Sequence, residues 1–264
     1  MNIYDDFDYL CNEPYFIPDI GTIINPTLRD IRKITYKVFD TYITLCSITL
    51  SDYLKICNLK EKYEWLLSEK KIENNFFTVL LYTNIQLLFN FICFFIKDNV
   101  EFNNLDMSFH IFIKENDDNE EKEKKKEIGV INADNFDYFR NEILKILGLK
   151  QIEVKKTKYK TKKAQLLVEK IAKAKSQLKK SSEQDENMKL DNLIKKYCTY
   201  NKVGINILNV WDMTFYQFNT MFSEYSVSRQ IEFNDAIASN TFSYENSSDY
   251  NSNLWIEKIK NKTN

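Results

Sequence analysis

The sequence predicts a mainly α-helical fold with a small antiparallel β-hairpin, an α+β class with a helical C-terminal region. Three observations predict it. Glycine and proline are scarce, 4 and 3 residues in 264, which disfavours a turn-rich β-architecture. Apolar residues recur at three- and four-residue steps in long stretches. One stretch near 107–132 alternates instead, as a strand does. A hydrophobic content of 44% is enough to bury a core in one or two domains.

The elements follow in chain order. All three prolines, Pro14, Pro18 and Pro26, fall within the first 27 residues, and "YFIPDIGTIINPTL" reads as a short strand hairpin or extended arm. Gly21 supplies turn freedom, and Asn25-Pro26 ends the strand. "NPTLRDI" then opens a helix, with Pro26 and Thr27 as start signals and Asp30 in the first turn. A helical pattern runs from Leu28 to about Cys57, with Ser51-Asp52 as a new cap before "YLKICNL". Further helices are expected over Glu61–Glu69 and Glu73–Lys97.

"MSFHIFIKE" alternates, with Phe109, Ile111 and Ile113 on one face and Ser108, His110 and Phe112 on the other. "KEIGVINADNF" supplies a second strand. The intervening "NDDNEEKEKKK" is too polar to bury, so the pair reads as a hairpin with a solvated tip. Asp134 is the expected cap of the helix "NFDYFRNEILKILGL", and Gly148 its expected stop.

Residues 150–180 carry twelve lysines against Glu153 and Glu169. Leu167, Ile171, Ala174 and Leu178 step 4, 3, 4 along them as a narrow apolar seam. The helical pattern resumes in "MKLDNLIKKYCTY" through Leu190, Leu193, Ile194 and Tyr197. A Ser- and Asn-rich tail follows, in which Leu254, Trp255 and Ile259 are candidate anchors. These features divide the chain into an N-terminal helical region over 1–150 with the hairpin near 107–132, a Lys-rich helical linker over 151–188, and a C-terminal helical region with a polar tail over 189–264.

Composition limits function. A net charge of −1 and a pI near 6.1 carry no overall nucleic-acid or membrane signal. The basic segment could track phosphates, but it has only Tyr159 for stacking and no arginine for base contacts. Its other reading is a solvated helix face, and nucleic acid is not the expected partner. The five cysteines form no CxxC pair, which points to reduced thiols rather than a disulfide framework or a zinc site. The N-terminus "MNIYDDFDYL" lacks the basic and apolar regions of a signal peptide. Phe76–Ile96 contains no charged residue and is long enough to span a bilayer. Asn84, Gln86 and Asn90 interrupt it at a cost in lipid. A buried helix is the favoured reading, with a membrane span as the alternative.

No catalytic, cofactor-binding or metal-ligating set can be assembled from these residues. His110 is the only histidine, which leaves a His-metal site or Cys–His dyad almost no material. The GxSxG, GxxxxGK[ST], GxGxxG and DxDxDG patterns are all absent. An enzyme needs convergent acids, bases or electrophiles, so the expectation is a non-enzyme without cofactors.

What stands out instead is "ILNVWDMTFYQFNTMF", Ile207 to Phe222. Trp211, Phe215, Phe218 and Phe222 recur at 4, 3, 4 and would form an aromatic ridge on a helix. Together with Leu167, Ile171 and Leu178 they are the candidate partner-binding residues. Met and aromatic side chains repack readily and bury large areas. The same stripe equally suits plain core packing.

The pieces "GTIINPTLRDI" (Gly21–Ile31), "NADNFDYFRNEIL" (Asn132–Leu144) and "NVWDMTFYQF" (Asn209–Phe218), in this order around a Lys-rich connector, resemble the tail assembly chaperones of phages and prophages of low-GC Gram-positive bacteria. The resemblance runs loosely from about residue 13 to 259 and includes no chemical motif. It implies a non-enzymatic protein of the bacterial host cytoplasm that binds the tape measure protein while tube subunits polymerise around it. Tail tube subunits are a further implied partner, and self-association stays open. A structural virion component, such as a baseplate or connector subunit, is the alternative, with a membrane-associated protein behind it.

Overall fold

A computed structural model of the chain describes residues 4–69, 75–115, 124–149 and 189–239. Among these residues the fold is α+β and mainly helical, with two small antiparallel sheets. The chain divides into two compact units: Met1–Lys158 with Trp211–Tyr216, and Tyr159–Val210 with Gln217–Asn264. The Lys-rich segment, the charged connector tip and the polar tail, with Leu254, Trp255 and Ile259, lie outside the described residues.

Of the two readings of the N-terminal segment, hairpin or extended arm, the first unit has the hairpin: β1 (Tyr15–Ile17) and β2 (Gly21–Ile23), paired Tyr15↔Ile23 and Ile17↔Gly21, follow a short 3-10 turn at Asp8–Leu10. Gly21 has φ +110°, which strains any other residue. Thr27 then caps α1 (Leu28–Ile34) in a full capping box: its side chain accepts the Asp30 N–H, and the Asp30 carboxylate accepts the Thr27 N–H.

The long helical pattern read from Leu28 to Cys57 is divided in the structure into three helices. α1 ends at Ile34. α2 (Tyr36–Ser47) follows across Thr35, and α3 (Leu50–Ile56) starts after Thr49. Thr49, not Ser51-Asp52, is the cap of α3; its hydroxyl accepts the Asp52 N–H at 3.2 Å. Asp52 therefore belongs to the first turn that Thr49 caps. After α4 (Lys60–Glu69), Asn75 caps α5 (Phe76–Phe95) by accepting the Thr78 N–H at 2.7 Å.

α5 is long and apolar enough to cross a membrane, with a mean hydropathy of 1.6 over its most apolar window. It is also the centre of the first unit's core. Phe77, Leu80, Leu88, Phe91, Ile92 and Phe95 are buried. Phe91 packs edge-on against Tyr42 and Phe139, with centroids 5.6 and 5.8 Å away. The Phe95 carbonyl accepts the Ile24 N–H, which joins the end of the helix to the hairpin. The helix bends at Asn84, whose backbone leaves the helical region (φ −157°, ψ 69°) while its side chain accepts the Leu87 N–H.

The predicted second hairpin is present as β4 (Ser108–Glu115) and β5 (Lys124–Ile131). A third strand that the sequence reading lacked, β3 (Asn99–Asn103), completes a sheet of order β3-β4-β5. β3 is a short edge strand of mixed polarity, so its periodicity is too brief to read. Gly129 on β5 lets the loop of the first hairpin approach. A Cβ there would lie 2.5 Å from the Ile20 carbonyl carbon, and the Val130 N–H donates to the Asp19 carbonyl at 3.0 Å.

α6 (Phe136–Ile146) begins at Asn135 rather than at the expected cap Asp134. The Asn132 side chain accepts the N–H groups of both Asp134 and Asn135, so the turn before the helix is an Asn-centred one. Its end is as expected. Gly148 has φ +67°, and the Gly148 and Leu149 N–H groups donate to Lys145 and Leu144 carbonyls in a Schellman motif.

In the second unit, α7 (Leu190–Tyr200) buries Ile194 and Tyr197, two residues of the predicted apolar set. α8 (Phe215–Ala238) contributes its first two residues to the first unit and the rest to the second.

Candidate partner-binding surface

The aromatic segment serves both units from within. In the first, residues 211–216 pair with the start of α1. The Leu28 N–H donates to the Met213 carbonyl, and the Phe215 N–H to the Pro26 carbonyl, each at 2.9 Å. Thr27 and Thr214 form an antiparallel bridge. The Arg29 guanidinium donates twice to one Asp212 oxygen, at 3.1 and 2.8 Å. Phe215 is buried against Phe39 (5.1 Å), and Tyr216 packs on Tyr9 (5.7 Å) while its hydroxyl donates to the Asp6 carbonyl. Trp211 stays half-buried, with Arg32 at 6.0 Å from its ring.

In the second unit Tyr197 is the hub. Its ring meets Phe218 edge-on at 5.9 Å and Tyr225 at 5.8 Å, and Phe222 lies on Phe218 at 6.0 Å. Of the predicted ridge, then, Phe215 and Phe218 are part of the protein's own core, one in each unit. Trp211 and Phe222 keep part of their surface accessible. Leu167, Ile171 and Leu178 lie outside the described residues.

Beside this hub, α7, α8 and the loop that follows α7 leave a cleft of about 290 Å³. Tyr197, Tyr200, Val203, Met221 and Tyr225 supply its apolar lining. Its charged part is an ion-paired set in which Lys202 and Arg229 share the Glu232 carboxylate. The Lys202 hydrogen bond, with both cationic charges, holds Glu232 below the usual carboxylate range. Burial pushes the Tyr197 phenol up, and its buried hydroxyl has no partner among the described residues. An unmet buried hydroxyl costs about 1–3 kcal/mol. The sequence places Tyr197 in the apolar helical pattern, but nothing in it marks the residue as the cleft's hub.

His110 lies on the β3-β4-β5 sheet between two carboxylates. Its Nε2 is 2.7 Å from Asp106 Oδ2 and its Nδ1 2.9 Å from Glu127 Oε2. Hydrogen bonds to Glu127 and then Asp106 raise its pKa. Among the described residues no group of three or more His, Cys, Asp or Glu side chains is placed to hold a metal ion.

Comparison with known proteins adds one finding. Residues 179–260, about a third of the chain, match the family model of the YomV second domain, a phage- and prophage-associated family. The matched span takes in α7, its following loop, the cleft and α8. The match supports a phage-related protein. No curated protein and no solved structure shows significant similarity.

Proposed function

We propose that this phage-related chain is a non-enzymatic tail assembly chaperone, which binds the tape measure protein in the bacterial host cytoplasm while tube subunits assemble around it. The observation that carries the reading is the character of the phage-family segment. It leaves large apolar side chains outside a small core: Tyr200, Val203, Leu208 and Phe233 are each more than 60% exposed. We read these exposed side chains as the surface offered to a partner. An amphipathic helix laid into an apolar groove is the recognition mode such a surface serves. The half-open rings Trp211 and Phe222 are proposed as further contacts, one in each unit. The reading needs no cofactor, nucleic acid or membrane.

Co-expression with the tape measure protein tests it. The chain should retain that protein on an affinity column and raise its soluble yield. Proteomics of purified mature particles should find the chain missing. Presence at fixed copy number would replace this reading with that of a structural virion component, and loss of tape measure capture would remove it.

A further inference from the structure

Each ring nitrogen of His110 faces a carboxylate, Nε2 toward Asp106 at 2.7 Å and Nδ1 toward Glu127 at 2.9 Å. A neutral imidazole has one N–H and one lone pair, so it can donate to only one of them. Donating to both requires the imidazolium. The two acceptors belong to different elements: Glu127 is on β5, and Asp106 is in the turn between β3 and β4. The protonated ring therefore ties that turn to the far strand of the sheet.

Nε2 has a second neighbour. The Asn103 amide nitrogen, at the end of β3, lies 3.4 Å from it. The Asn103 amide oxygen accepts the Leu105 N–H at 3.0 Å, which fixes the orientation of the amide with its nitrogen toward the ring. An amide nitrogen donates and does not accept, so this contact is idle while Nε2 carries a proton. Once that proton leaves, the Nε2 lone pair faces a donor already in place. Nδ1 has no such substitute, because Glu127 is its one partner among the described residues and a carboxylate cannot donate. The neutral tautomer that satisfies both nitrogens is thus Nδ1–H, donating to Glu127 and accepting from Asn103.

Asp106 loses the ring in this exchange. Its remaining bond is to the Ser108 N–H at 3.2 Å, within the turn. The turn has little else to fix it: Leu105 is 95% exposed, and Met107 is held in the left-handed region at φ +55°. The other charges on this face of the sheet do not titrate near neutral pH. Glu101, opposite His110 on β3, is paired with Lys125 of β5.

We propose that the β3–β4 turn is a proton-controlled latch: the His110 imidazolium holds it through Asp106, and the neutral ring gives Nε2 to Asn103 and lets Asp106 go. Hydrogen bonds to Glu127 and Asp106 raise the imidazole pKa above its ordinary 6.5, so the latch opens above that pH. The latch does not depend on the chaperone reading.

His110 is the only histidine, so its ring nitrogens can be followed in the full chain by 15N NMR. From about pH 5 to 9 the ring should pass from the doubly protonated form to the Nδ1–H tautomer. Across the same transition the hydrogen-exchange protection factor of the Ser108 amide should fall at least about threefold. Asp106→Asn, whose amide can donate to a neutral Nε2, should lower the midpoint and remove the pH dependence of that protection. Asn103→Asp keeps an acceptor for the Leu105 N–H but takes away the waiting donor, and should raise the midpoint. A neutral ring in the Nε2–H form, or Ser108 protection that stays level while the ring titrates, overturns the latch. An Asn103→Asp chain with the parent's midpoint and tautomer overturns it equally.

Discussion

Arg140 shows how much a single residue decides. Its guanidinium is almost wholly buried and donates to the carbonyls of Leu45, Cys46 and Ile48, closing the C-terminal end of α2. It lies 4.4 Å from the Phe76 ring centre and pairs with Asp137. Only a planar, five-donor group can reach so many acceptors at once. Arg140→Ala leaves those carbonyls in the core without donors and should cost about 3–5 kcal/mol in urea unfolding. Nothing in "NFDYFRNEIL" marks this arginine as buried, because its partners come from a helix some ninety residues away. His110 is different: its strand and its face were legible from the alternation of "MSFHIFIKE", but the carboxylates on either side were not. Its folded pKa is raised above the unfolded value of about 6.5. The stabilisation is therefore full below that value and lost as pH rises through the folded pKa. Thermal unfolding between pH 6 and 8 should show a falling midpoint. His110→Gln should flatten that fall, since the chain has no second histidine to titrate there.

Elements were legible where they carry local punctuation. Thr27 with Asp30 opens α1, and Gly148 closes α6, each by a hydrogen-bonding pattern written within four residues. Thr35 has no such mark. It separates α1 from α2 in a left-handed backbone conformation (φ 72°, ψ 147°) although the apolar stripe runs unbroken through Ile31, Phe39, Tyr42 and Cys46. The sequence signals a continuous helix there, and no neighbouring residue explains the break. A β-branched residue held in that region stores about 1–3 kcal/mol of strain. Thr35→Gly should therefore raise stability by about 1 kcal/mol, read from the denaturation midpoint. A decrease would mean that the hydroxyl or methyl of Thr35 is needed. α5 was legible as a helix from its 20 uncharged residues, but its membrane-like composition cannot by itself distinguish lipid from protein surroundings. The rings of Tyr42, Phe136 and Phe139 around Phe91 provide protein surroundings.

At the scale of the whole molecule, residues far apart in sequence share a unit. Residues 211–216 complete the first unit although more than fifty positions separate them from Lys158. Their anchor is Phe215, buried against Phe39, rather than the exposed Arg29–Asp212 pair. Phe215→Ala should destabilise the protein by about 3–5 kcal/mol. Asp212→Ala should change stability by less than about 1 kcal/mol, because solvent screens that pair. Equal effects of the two substitutions would overturn this ranking.

Local patterns determined the class of this fold, the helix start at Thr27, the helix stop at Gly148, both hairpins and the aromatic density of 207–222. Propensity, capping and periodicity act within a few residues, so they are written in order along the chain. Tertiary structure alone decided that the aromatic stripe is divided between two cores. The same holds for the burial of Arg140 beneath α2, and for the loop that follows α7, which leaves its apolar side chains outside. Burial depends on which distant surfaces meet, and periodicity shows that a face is apolar without saying what covers it.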